Sequence, residues 1–89
     1  MRIVWDEAKR QSNLRKHGFD FDDAAKVFST STFTVEDNRF AYDEIRFITL
    51  GLLNTTVVAI VHTETDEEIR IISMRKATRY EQTLWFSKA

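Results

Sequence analysis

Apolar positions along the chain follow two different periods, and the change falls near Thr30. Upstream of it, Phe21, Ala24, Ala25 and Phe28 recur at helical spacing and define one apolar stripe. Asp20 is placed to cap that helix, and Asp22 and Asp23 suit the positive end of its dipole. An earlier helix is predicted from Glu7 to Lys16, with Asp6 as its N-cap and Gly18 as a left-handed stop. Arg15 and Lys16 complement the negative end of that helix. Ahead of it, Arg2 to Trp5 reads as a short strand.

Downstream, β-branched and aromatic residues dominate, which predicts strands near Phe33 to Glu36, Ile45 to Leu50, Thr56 to Thr63 and Ile69 to Met74. Short polar connections at Leu53-Asn54-Thr55 and Glu64 to Glu67 predict hairpins, hence antiparallel neighbours. Strict alternation puts Val58, Ile60, His62 and Glu64 on one side of their strand, and separates Arg70, Ile72 and Met74 from Ile69, Ile71, Ser73 and Arg75. Thr78-Arg79-Tyr80-Glu81 matches a capping box, so a last helix is expected through Trp85. The order predicts an α+β fold: a strand, two helices, a four-stranded antiparallel sheet and a C-terminal helix, with the helices on one sheet face.

At 89 residues the chain has room for one domain, 1–89, with a modest core. An apolar fraction of 43% beside 30% charged residues suits a globular chain and not a disordered one. Cysteine is absent, so disulfides and thiolate metal sites are excluded. No apolar run approaches the roughly 20 residues of a membrane span and no signal-peptide pattern opens the chain, so a cytoplasmic location without membrane contact is expected. The net charge of -1 conceals a segregation. Residues 1–17 carry five Lys/Arg against two acids, residues 69–89 five against one, and the stretch between them three against eleven. If the two ends meet in space, they form a basic patch.

Two spaced motifs carry a family resemblance. Trp5-Asp6-Glu7-Ala8-Lys9, Asn13, Lys16-His17-Gly18 and Phe21-Asp22-Asp23-Ala24 form the first. Arg70-Ile71-Ile72-Ser73-Met74-Arg75-Lys76-Ala77-Thr78 with Glu81 forms the second, and Arg46, Gly51 and Thr63-Glu64 fall between. Together they resemble the BrnT toxins over nearly the whole chain. The resemblance implies a RelE-like fold, metal-independent RNA cleavage that inhibits translation and growth, and a cognate ribbon-helix-helix antitoxin. DNA would be contacted only through that antitoxin. Asp43, Thr65 and Met74 depart from the pattern, and Thr65 removes a cation beside the second hairpin.

RNA cleavage without a metal or other cofactor needs a base for the 2'-hydroxyl proton, an acid for the leaving oxygen and cations for the phosphorane charge. Lys9, Asn13 and Lys16 share a side of the first helix and suit a phosphate track, or else an ordinary solvated face. His17 is the first choice for proton transfer, against a plain helix-capping role. His62 with Glu64 is a second acid-base candidate. Arg70, Arg75, Lys76 and Arg79 form the densest basic group, suited to phosphate or to ion pairs with the acidic middle segment. Arg46 either joins them across the sheet or pairs with Asp43 or Glu44. Trp5, Phe40, Tyr42, Tyr80, Trp85 and Phe86 are candidates for base stacking or for core. No metal-ligand spacing is present. A contrasting reading makes the chain a non-catalytic module that pairs with a DNA-binding antitoxin and tunes its transcriptional role. A free-standing DNA binder is the least favoured reading, because the sequence lacks a helix-turn-helix or ribbon motif and its net charge is slightly negative.

Overall fold

The computed structural model describes residues 1–39, 41 and 43–89. The chain runs through β1 (Arg2–Trp5) and α1 (Glu7–His17), then a 3-10 turn (Phe21–Asp23) leading into α2 (Ala24–Phe28). Four strands follow, β2 (Phe33–Glu36), β3 (Phe47–Leu53), β4 (Thr56–Glu64) and β5 (Glu68–Lys76), and then α3 (Arg79–Lys88). Helix ends are set locally. Asp6 accepts from the Lys9 amide at 3.1 Å, and Gly18, at φ +77°, donates its own amide to the Leu14 carbonyl at 2.9 Å. Thr78 and Glu81 make the reciprocal capping box of α3. Asn54, at φ 56°, turns β3 into β4.

The sheet departs from expectation. It has five strands in the order β1-β5-β4-β3-β2 and is mixed, because β1 lies parallel to β5 with Arg2 opposite Glu68 and Trp5 opposite Ile71. This corrects the four-stranded antiparallel sheet expected with a RelE-like fold. Parallel neighbours need a crossover connection in place of a hairpin, and here every other element except α3 lies between the two strands. No local turn signal marks such a pairing.

Helices cover both sheet faces, which corrects the one-faced arrangement. On one face Val58, Ile60, Ile71 and Met74 pack against Phe21, Ala24 and Val27. On the other, Ile48, Leu50, Val57, Ala59, Val61 and Ala77 are overlaid by the half-buried Leu84 and Trp85 of α3. The unbroken apolar run Val57 to Val61 has this physical meaning: a central strand buried on both sides has no polar face to alternate with. The helical stripe is also re-phased. Phe21, Ala24 and Val27 are buried while Ala25 is exposed, because a 3-10 turn repeats every three residues before the α-helical period takes over. Gly51 lets this segment approach the sheet, since a Cβ there would sit 2.8 Å from Val27 Cγ1. Among the described residues no helix is long and apolar enough to cross a membrane.

Candidate active site

The site is built where the first helix meets the last strand. β1 pairs with β5 only as far as Ile71, and beyond that point α1 lies along the strand's edge. Asn13 makes the join. Its side chain, 7% exposed, accepts from the Met74 amide at 3.1 Å and donates to the Met74 carbonyl at 2.8 Å and the Phe19 carbonyl at 3.1 Å. A carboxamide has both an acceptor and two donors, so it can replace the neighbouring strand that Met74 lacks. Arg10 fixes the other end of the helix's docking through a two-pronged bond to Asp20, at 2.7 and 2.9 Å, and a third bond to Glu7 at 2.7 Å. The Arg10 guanidinium, with the Asp22 amide, holds the Asp20 carboxyl below the usual carboxylate range.

Beside this join a shallow depression of about 260 Å³ is lined by Lys9, Ser12, Asn13, Lys16 and His17 from α1 and by Ile72 and Ser73 from β5. The helix residues are spaced at three and four, so they form one face. Lys9 and Lys16 are exposed and form no ion pair with any described residue. The half-buried His17 ring has no hydrogen bond among the described residues, and the Gly18 amide closes the helix end in its place.

Strand β5 carries a bulge that alternation did not predict. Val61 faces Ser73 but His62 faces Ile71, leaving Ile72 as an extra residue. The consequence is a change of side: Ile71 and Met74 both enter the α2-side core, while Ile72 joins the core under α3. Arg70 and Arg75, which strict alternation separates from each other, stand opposite Thr63 and Ala59 and thus share the α3 side with Ser73. Arg75 is bound by both prongs to Glu81 at 2.7 and 3.0 Å. Burial pushes the Glu81 carboxyl up, but the bonds from Arg75 and Thr78 outweigh it and keep it below its ordinary range. Arg70 is exposed, 3.9 Å from Glu68.

The remaining candidates lie elsewhere. Lys76, opposite Val58, is on the α2 side, and the exposed Arg79 opens α3. Arg46 pairs with Glu44 at 3.4 Å just before β3, with β4 between it and β5. His62 is fully buried between the Phe28 and Phe47 rings. Its Nε2 lies 2.7 Å from Thr49 Oγ1, which bonds Thr34 Oγ1 at 2.7 Å, while Nδ1 is 3.5 Å from a Glu64 oxygen. Burial pushes the His62 pKa down, against the opposing charge of Glu64. Trp5 packs edge-on against Phe21, Trp85 donates to the Ser31 carbonyl at 2.9 Å, and Tyr80 and Phe86 are exposed. Phe40 and Tyr42 lie outside the described residues.

A larger cleft of about 360 Å³ between β2 and α3 has a floor of Val35, Ile48, Leu50 and Leu84. Its cations, Arg39 and Arg75, are forked onto Asp37 and Glu81, so it suits apolar contact better than phosphate chemistry. Among the described residues no three His, Asp or Glu side chains form a group fit to hold a metal. Sequence reasoning missed Ser73, whose place in the depression depends on the bulge, and offered Asn13 for a phosphate track or a solvated face, whereas its amide is buried and bonded to backbone.

No curated protein matches the chain. A family model described as ribonuclease toxin, BrnT, of type II toxin-antitoxin system matches residues 5–81, a span that includes α1, the whole sheet from Trp5 onward and the α3 capping box. Both sides of the depression therefore fall within the match, and the chain belongs to the BrnT family of ribonuclease toxins, whose counterpart is a cognate antitoxin.

Proposed function

We propose that residues 1–89 act as one unit, a metal-independent endoribonuclease whose site is the depression between α1 and β5. The observation that carries this reading is the convergence of Lys9, Lys16 and His17 on a single helix face over Ser73, beside the strand face that bears Arg70 and Arg75. His17 takes the 2'-hydroxyl proton and the imidazolium so formed protonates the leaving 5'-oxygen, while Lys9 and Lys16 hold phosphate. The exposed Arg70 extends the cationic track along β5, and Arg75 joins it where phosphate displaces Glu81 from its guanidinium. Arg46, Lys76 and Arg79 stand outside this depression, where a longer RNA would meet them as peripheral phosphate contacts. His62 is a core element in this scheme, since a ring sealed between two phenyl groups has no path to a substrate, and the exposed Glu64 is left without an acid-base partner that a substrate can reach.

A ribbon-helix-helix antitoxin silences the toxin by covering this patch, and DNA is reached only through it. The test is cleavage of RNA by antitoxin-free protein in EDTA. Degradation is expected, and Arg75→Ala is expected to slow it about tenfold, or about 1.4 kcal/mol. Intact RNA under those conditions refutes the mechanism.

A further inference from the structure

Ser73 is the one residue of the depression that comes from β5 with a hydroxyl, and two features of the strand set its position. The bulge at Ile72 moves it to the side shared with Arg70 and Arg75. The next residue, Met74, is held at both its amide and its carbonyl by Asn13. The Ser73 hydroxyl itself makes no hydrogen bond among the described residues, and solvent reaches it. Bulges re-aim side chains, and this one aims a donor at a pocket whose opposite wall carries an imidazole and two ammonium groups that pair with no acid among the described residues. Ser12 lines the same depression, but from an exposed turn of α1 and not from the bulged strand.

We infer that Ser73 is a catalytic residue of the proposed reaction, donating its hydroxyl hydrogen to a non-bridging oxygen of the phosphodiester held by Lys9 and Lys16. The contact rests on the ribonuclease reading for its role and on the bulge for its geometry. A neutral donor fixed by backbone supplements the cations because it needs no reorganisation as charge builds on the phosphorane. Flexible lysines supply charge without direction. Ser73 supplies direction.

The experiment compares antitoxin-free wild type, Ser73→Ala and Ser73→Thr on a short single-stranded RNA whose cleavage point has been mapped with wild type. It is repeated with each phosphorothioate diastereomer at that phosphate, and with an uncleavable 2'-O-methyl strand for affinity. Ser73→Ala is expected to lower kcat/KM at least tenfold with an unchanged thermal midpoint, and Thr to restore it to within about threefold. The diastereomer that slows wild type most should slow the alanine variant less, because the contacted oxygen has lost its donor. Affinity for the uncleavable strand should fall at least threefold. Wild-type kinetics in Ser73→Ala, or a threonine variant as slow as the alanine one, overturns the inference. If wild type binds the uncleavable strand but cleaves nothing, the ribonuclease reading fails alone: weaker binding by Ser73→Ala still supports the contact, and equal binding overturns it. Absence of any RNA binding by wild type overturns both.

Discussion

The chain has two histidines, and the seams that hold them differ in almost every physical respect. His17 is the last residue of α1, half-buried at the protein surface beside Lys16, with its ring nitrogens unbonded to any described residue. His62 sits within the sheet, enclosed by two phenyl rings and joined through Thr49 to Thr34 across three strands. The side chain is identical in both places. One imidazole is half-exposed beside an open depression, while the other is fixed as a bonding element whose protonation the core opposes. Proximity to a carboxylate, which made His62 and Glu64 look like an acid-base pair, therefore says less than access does.

The contrast can be broken most decisively by exchanging each ring for an amide. His17→Gln is expected to lower RNA cleavage at least about 100-fold with little change in thermal midpoint, and His62→Gln to leave cleavage within about threefold while lowering the midpoint. The reverse pattern in kinetics and melting would invert the assignment. A smaller effect concerns the seam that carries His17. Asn13→Ala strips the Met74 amide and carbonyl of their partner, so a loss of about 2 kcal/mol is expected from the shift in urea midpoint. Asn13→Asp should do no better, because a carboxylate accepts from the amide but repels both the Met74 and the Phe19 carbonyls. An unshifted midpoint in either variant would show that α1 is held by something else.

The smallest effect sharpens the His62 side through pH. Its folded pKa lies below the ordinary 6.5, so on acidification the unfolded chain takes up a proton before the folded chain does. The contribution is complete above pH 6.5 and declines as pH falls toward the folded value, with a slope of at most about 1.4 kcal/mol per pH unit. Glu7, Asp20 and Glu81, all held below their ordinary range, add losses in the same direction only at lower pH, as carboxylates protonate. Denaturant titrations between pH 5 and 7 should show the slope in wild type and lose it in His62→Gln. Greater stability at pH 5 than at pH 7 would contradict the sign.

What was legible in the sequence was local. Asp6, Gly18 and the Thr78–Glu81 box announce helix ends because capping partners lie within four residues, and each does the work its position suggests. The β-branched runs after Thr30 likewise mark strands, because their pattern is decided within each hairpin. What stayed hidden depends on distance or on one inserted residue. Asn13 finds its partner 61 positions away, and a polar residue in a helix gives no sign of that. The Ile72 bulge shifts a period of two by one, so alternation assigned Arg70 and Arg75 to opposite sides although both lie on one. The basic ends of the chain were legible as charge, and their meeting required the parallel pairing of β1 with β5.

That pairing also sets a schedule. Arg2 lies beside Glu68, so the seam that carries the proposed chemistry joins segments 66 residues apart in the chain. Closing so long a loop is a late and entropically costly event, and during synthesis it must wait for the final strand to appear. A nascent or truncated toxin that has made only α1, α2 and the first hairpin has half a pocket and no strand to clamp. Under the proposed assignment, this ordering postpones activity until β5 is in place, an interval in which a cognate antitoxin would meet a chain whose site is still unfinished.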